Sequence, residues 1–123
     1  MNRGILAALL AAQCLLGCEA NQECEKSRFE LAKSWEGLRT SASRRKLAGV
    51  DVEGWKFVET RADLLESSFA TTNVTWNSAD RAKGEIVQRV NALQTDNPAN
   101  LTGYKLSLDA ALKAQEAYGK MCR

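Results

Sequence analysis

The chain has 123 residues, 45% of them apolar and 26% charged, with 17 Lys and Arg against 15 Asp and Glu. That length allows one domain with a modest core, and so even a charge balance is not that of a nucleic-acid binder. Histidine is absent, which removes the commonest general base and the commonest metal ligand.

Residues 1–17 read as an export signal. Arg3 gives a short n-region its positive charge, and an apolar run follows from Ile5 to Leu16, interrupted by Gln13. A bilayer-spanning helix takes about 20 apolar residues; this shorter run has the length and flanks of an h-region. It ends in Leu15-Leu16-Gly17-Cys18, which resembles the bacterial lipobox. The resemblance implies diacylglyceryl transfer to the Cys18 sulfur, cleavage after Gly17 and acylation of the new N-terminus. The expected non-protein groups are therefore this covalent diacylglycerol and N-acyl chain on Cys18, with no cofactor. Three acyl chains exceed the two signals that stable anchoring needs. Glu19 rather than Asp follows the lipidated residue, which by analogy with enteric lipoproteins implies an outer-membrane protein facing the periplasm. The alternative is an ordinary signal cut after Ala20.

Residues 18–123 are then the mature domain. Loss of Arg3 with the signal takes the formal charge from +2 to +1. Cys14 is discarded and Cys18 acylated, leaving Cys24 and Cys122, which in an oxidising envelope are expected to pair. Two isolated cysteines without His or a Cys-x-x-Cys motif do not make a metal site, so no metal is expected.

Strand signals are nearly absent and helical spacing is continuous. Cys24, Leu31, Trp35, Leu38 and Ala42 share one face of a helix from about 21 to 48, with Arg28 filling the gap and Gly49 as a stop. Arg44, Arg45 and Lys46 lie in its last turn, where cations suit the macrodipole. Asp51 is a good N-cap for a second helix, with Gly54 at N3. Trp55, Val58, Ala62, Leu65 and Phe69 form the second stripe. Trp76, Ala79, Ile86, Val90 and Leu93 form the third, with Lys83 at the missing position. Asn97-Pro98 breaks the chain. Leu101, Tyr104, Leu108, Ala111, Gln115, Tyr118 and Cys122 form the fourth stripe.

The segment 71–75, Thr-Thr-Asn-Val-Thr, consists of weak helix formers, yet the register of Phe69, Thr72 and Trp76 runs through it. A break there gives a four-helix antiparallel bundle. Continuity gives three helices, the central one of about 43 residues and roughly 64 Å. Typical helix lengths favour the break. In both readings a turn near Val50 sets Cys24 opposite about residue 76, and a turn near Pro98 sets Cys122 opposite about residue 72. The two thiols therefore meet at one level, which supports a Cys24–Cys122 disulfide in an all-α bundle.

No acid–base pair, His-activated nucleophile or Gly-rich phosphate loop is present, so the expectation is a non-enzyme. Asp109–Lys113, Glu116–Lys120 and Glu85–Arg89 read as i,i+4 pairs on solvated faces. Trp35, Trp55 and Trp76 fall on stripe positions and read first as core. Three Trp are many for so small a bundle, and the functional alternative is an aromatic groove for a partner. Arg44, Arg45 and Lys46 read first as a solvated helix terminus, and otherwise as a contact for an envelope partner far from the membrane.

In size, signal, helical content and its two remaining cysteines the chain resembles the pilotins of secretion systems, small outer-membrane lipoproteins that hold a helical tail of a secretin. The likeness is architectural and rests on no aligned residue pattern. The murein lipoprotein also joins a lipobox to heptads but ends in a linking Lys, whereas this chain ends Lys120-Met121-Cys122-Arg123. The expected function is a membrane-tethered, non-enzymatic protein-binding or assembly factor. A periplasmic inhibitor or immunity factor and a structural spacer are the alternatives.

Overall fold

The computed structural model describes the backbone of residues 2–123 and the side chains of residues 21–123. The signal segment 1–17 and Cys18 thus lie outside the residues whose side chains are described. The described chain forms four helices: α1 (Asn2–Lys46), α2 (Val52–Ala70), α3 (Trp76–Val90) and α4 (Pro98–Cys122). They pack as an antiparallel bundle, with close backbone seams between α1 and α2, α2 and α3, and α1 and α4.

The 3–4 spacing of apolar residues decides which faces meet. Leu31, Trp35, Leu38 and Ala42 of α1 are buried against Trp55, Val58, Ala62, Leu65 and Phe69 of α2 and the corresponding stripes of α3 and α4. The aromatic residues form three levels along the bundle. Trp55 meets Tyr104 edge-on at 5.1 Å. Trp35 Nε1 donates to Gln115 Oε1 at 3.1 Å in the middle. Phe69, Trp76 and Tyr118 cluster at the third level, Trp76 stacked on Tyr118 at 5.6 Å.

The chain breaks at 71–75. The Thr71 backbone is extended, and its hydroxyl donates to the Ser68 carbonyl at 3.1 Å, a local bond that competes with continuing the helix. Arg28, the polar residue on the α1 stripe, donates to the Phe69 carbonyl at 2.8 Å and so satisfies the end of α2. The same level holds the Cys24–Cys122 disulfide, with Cα atoms 5.8 Å apart.

The opposite end is tied by Asp51. This residue caps α2 from a left-handed backbone conformation, φ 51° and ψ 51°, which non-glycine residues other than Asn and Asp seldom adopt. Its carboxylate accepts from Gly54 N at 3.2 Å, Arg89 Nη2 at 2.9 Å and Gln94 N at 3.1 Å. One side chain thereby joins the α1–α2 turn to the α3–α4 turn. Burial pushes this carboxyl up, but the bonds from Gln94, Arg89 and Gly54 outweigh it and hold it below the ordinary aspartate value. A carboxyl lowered in the folded state stabilises fully above its unfolded value of about 3.9 and loses that contribution as pH falls through the lowered value. Asp51→Asn is therefore expected to cost about 2 kcal/mol at pH 7. It should also flatten the loss of stability between about pH 5 and pH 2. Urea midpoints of both proteins across that range check this, and parallel acid limbs would refute it.

Gly54 sits under the same knot. A Cβ there would lie 2.5 Å from Arg89 Nη2 and 2.7 Å from both Asp51 carboxylate oxygens. Arg89 can swing away, but the Asp51 carboxylate is held by three donors. Gly54→Ala is expected to destabilise by about 1–2 kcal/mol despite the better helix propensity of Ala, measurable by thermal melts.

Candidate groove between the first and last helices

The residues singled out in the sequence separate in space. Trp35 and Trp55 are fully buried; their rings fill the core and present no face to a partner, so these two form no aromatic groove. Trp76 is half-buried, and Arg123 lies over its ring at 4.7 Å. The basic run divides. Lys46 pairs with Glu59 of α2 at 3.1 Å, whereas Arg44 and Arg45 face α4.

They face a groove of about 670 Å³ between α1 and α4. One wall is Ser34, Gly37 and Ser41, at steps of three and four. The other is Asn100, Gly103, Ser107 and Ala110, at steps of three, four and three. Leu38 and Tyr104 form the floor. The Tyr104 hydroxyl donates to the Leu38 carbonyl at 3.2 Å, and burial keeps its phenol protonated well above the ordinary range. The floor is therefore fixed and neutral.

Lys33 stands at one end of the groove, Arg44 and Arg45 at the other, and no carboxylate lines it. Among the described residues none of these three cations is in a salt bridge. Lys33 lies over the Phe29 ring at 4.8 Å instead, and Arg45 Nε is shielded from water without a hydrogen-bond partner. Elsewhere on the bundle many cations are neutralised across helices. Arg39 meets Glu66 at 2.8 Å, Arg61 meets Glu85 at 2.8 Å, and Arg123 meets Asp80 at 3.2 Å.

Gly37 and Gly103 set this groove apart. Each lies inside a helix, where glycine costs about 1 kcal/mol relative to alanine, and a Cβ at either position would meet nothing within 4 Å. The fold does not require them, yet they line the same groove from facing helices. Gly84 is equally open, in the cleft between α3 and α4. That cleft, however, is lined by the carboxylates Asp109 and Glu116 beside Lys83 and Lys113, and Lys113 is paired with Asp109 at 3.1 Å.

These residues went unnoticed in the sequence because no single one has reactive chemistry. The available signal was a second stripe, of small residues at 3–4 spacing, beside each apolar stripe. Among the described residues no group of three or more His, Cys, Asp or Glu could hold a metal, and no helix is long and apolar enough to cross a membrane. Comparison with protein-family models, with curated proteins and with solved structures finds no match.

Proposed function

We propose that this chain is a non-enzymatic cell-envelope lipoprotein, anchored through Cys18 in the outer membrane and facing the periplasm, that binds another envelope protein in the α1–α4 groove. The observation that carries the reading is a groove whose rim cations have no carboxylate partner and whose facing walls hold two helix-interior glycines, Gly37 and Gly103, that packing within the fold does not require. A feature that weakens both helices and adds nothing to packing is explained when a partner needs the space.

Placement supports it. Cys18 precedes Cys24 by six residues, and Cys24 lies at the disulfide end. Arg44 lies about 30 Å further along α1 at 1.5 Å per residue. The arginine end of the groove is thus remote from the lipid site, and the Lys33 end is nearer to it. The spacer alternative, which a continuous central helix would favour, lacks that support with the break at 71–75. The inhibitor alternative has one observation in its favour: the rigidly tied turn after α1 exposes Leu47 and Val52.

Two measurements in a producing bacterium test the proposal. Cys18→Ala should abolish fatty-acid labelling and release the protein from the membrane fraction; unchanged labelling would refute the anchor. A photo-crosslinker at Ser41 or Ser107 should capture one dominant envelope protein, while one at Thr60 on the outer face of α2 should not. Equal capture at all three positions would remove the groove as the grip.

A further inference from the structure

We propose that the groove takes an acidic α-helix, with carboxylates about eleven residues apart that meet Lys33 at one end and Arg44 and Arg45 at the other. This rests on the reading of the groove as a protein-binding site and names the chemistry of its occupant.

The length of the groove sets the first condition. Its walls run from Lys33 to Arg45 on α1 and from Ala99 to Ala111 on α4, about 18 Å on each at 1.5 Å per residue. That accommodates roughly three turns of a helix. Lys33 and Arg44 are separated by about 16 Å on the same rise. On a partner helix that distance is about eleven residues, or close to three whole turns, so the two carboxylates fall on the same face.

The backbone sets the second condition. An extended peptide must pair its own N–H and C=O groups. The described residues contain no strand whose edge could pair with it, and the groove walls are mostly helix side chains of Gly, Ala and Ser. A helix arrives with its backbone bonds already made. The absence of bulk at Gly37 and Gly103 allows its ridge to approach closely.

Charge sets the third. The cations stand at the two ends rather than in a continuous track, so the arrangement reads two separated carboxylates, not a uniform polyanion. No carboxylate of this chain lines the groove, so the guanidinium groups of Arg44 and Arg45 are left to make charge-assisted, bidentate bonds with one on a partner. A second copy of this chain packed groove to groove about a two-fold axis would set rim cations against rim cations, in the parallel or the antiparallel arrangement, which is repulsive.

The test uses the full chain with its disulfide formed and fluorescent helical peptides of about sixteen residues, Ala-rich and cross-linked into helices. One peptide carries two Glu eleven residues apart, a second has Gln at both positions, and a third has Lys there. The Glu peptide is expected to bind, and the Gln peptide to bind at least about tenfold more weakly, a gap that narrows with added salt. Arg44→Glu combined with Arg45→Glu should lose the Glu peptide and gain the Lys peptide. Gly37→Trp, which meets open space in the fold, should lose binding to all three. Equal affinity for the Glu and Gln peptides, with crosslinking from Ser41 and Ser107 intact, overturns the acidic helix and leaves the groove as a protein-binding site. Gly37→Trp that changes neither peptide binding nor crosslinking overturns both. Competition by coil-form polyglutamate as effective per carboxylate as the peptide overturns the helix in favour of a general anion site. A dimer in sedimentation that Arg44→Glu disrupts assigns the groove to a second copy and overturns the proposal.

Discussion

Replacing Cys24 and Cys122 together by Ser is expected to lower the unfolding free energy by about 4 kcal/mol and the melting temperature by roughly 20 °C. The bridge closes a sequence separation of 98 residues, nearly all of the described bundle. For a loop of about 100 residues the loss of chain entropy in the unfolded state corresponds to about 4.7 kcal/mol. A less than random unfolded chain reduces that figure. The bond also holds the end of α4 to α1 beside the break at 71–75, where the hydrogen bond from Arg28 to Phe69 is the other tie. Calorimetry with and without reductant, alongside the double Ser variant, measures the effect. Both should give the same drop, and a shift under about 5 °C would show that the bundle does not depend on the bridge.

The second large effect is at the centre of the core. Trp35 Nε1 is a donor and nothing else, so Gln115 must turn its oxygen toward it. Gln115 is 2% exposed, and its Nε2 then has no partner. Trp35→Phe removes the donor, leaves both ends of the buried amide unpaired and opens space where the indole stood. It is expected to cost about 3 kcal/mol. Gln115→Met leaves the indole N–H unpaired but also removes the amide nitrogen that already lacked a partner, so it should cost about 1 kcal/mol. The double variant should be more stable than Trp35→Phe alone, since no buried polar group remains, with a coupling of about 1–2 kcal/mol. Chemical denaturation of the four proteins gives the cycle. Additivity within about 0.3 kcal/mol would show that the bond carries no weight.

A smaller pair of substitutions separates stability from binding. Gly37→Ala and Gly103→Ala should each raise stability by up to about 1 kcal/mol, because the added methyl groups meet nothing. Both should reduce crosslinking from the groove. A gain in stability with undiminished crosslinking would show that the space is not used.

Much of this molecule was legible along the chain because helix burial is a local property: the residues that recur every three or four positions must share a face. Leu31, Trp35, Leu38 and Ala42 are buried as their spacing requires, as are Val58, Ala62 and Leu65 of α2 and Tyr104, Leu108 and Ala111 of α4. The Asp51 cap was legible too, since a cap bond reaches only three residues ahead. The pairing of Cys24 with Cys122 was expected as the two cysteines left after the signal and lipid site, and helix lengths placed them at one level.

Charge partners were not legible. Glu85 and Arg89 stand four apart, but Glu85 bonds Arg61 and Arg89 bonds Asp51, both on other elements. Nearest neighbours in sequence compete with cross-helix partners that sequence does not rank. The break at 71–75 was balanced for the same kind of reason. The apolar register permits continuity and the weak helix formers oppose it; the packed bundle has the chain turn there, with Thr72 exposed.

The export signal and lipobox remain a reading of residues 1–18 alone, and they fix the expected address without any fold. The groove is the opposite case. Its walls come from α1 and α4, separated by most of the domain, and small side chains acquire meaning only when two such stripes face each other. Sequence by itself determined which faces are buried and where the two cysteines meet. Only the tertiary structure decided that Gly37 and Gly103 share a groove, and that Lys33, Arg44 and Arg45 rim it without carboxylate partners. Proximity of Gly37 and Gly103 across 66 positions of the chain is a property of packing, not of periodicity.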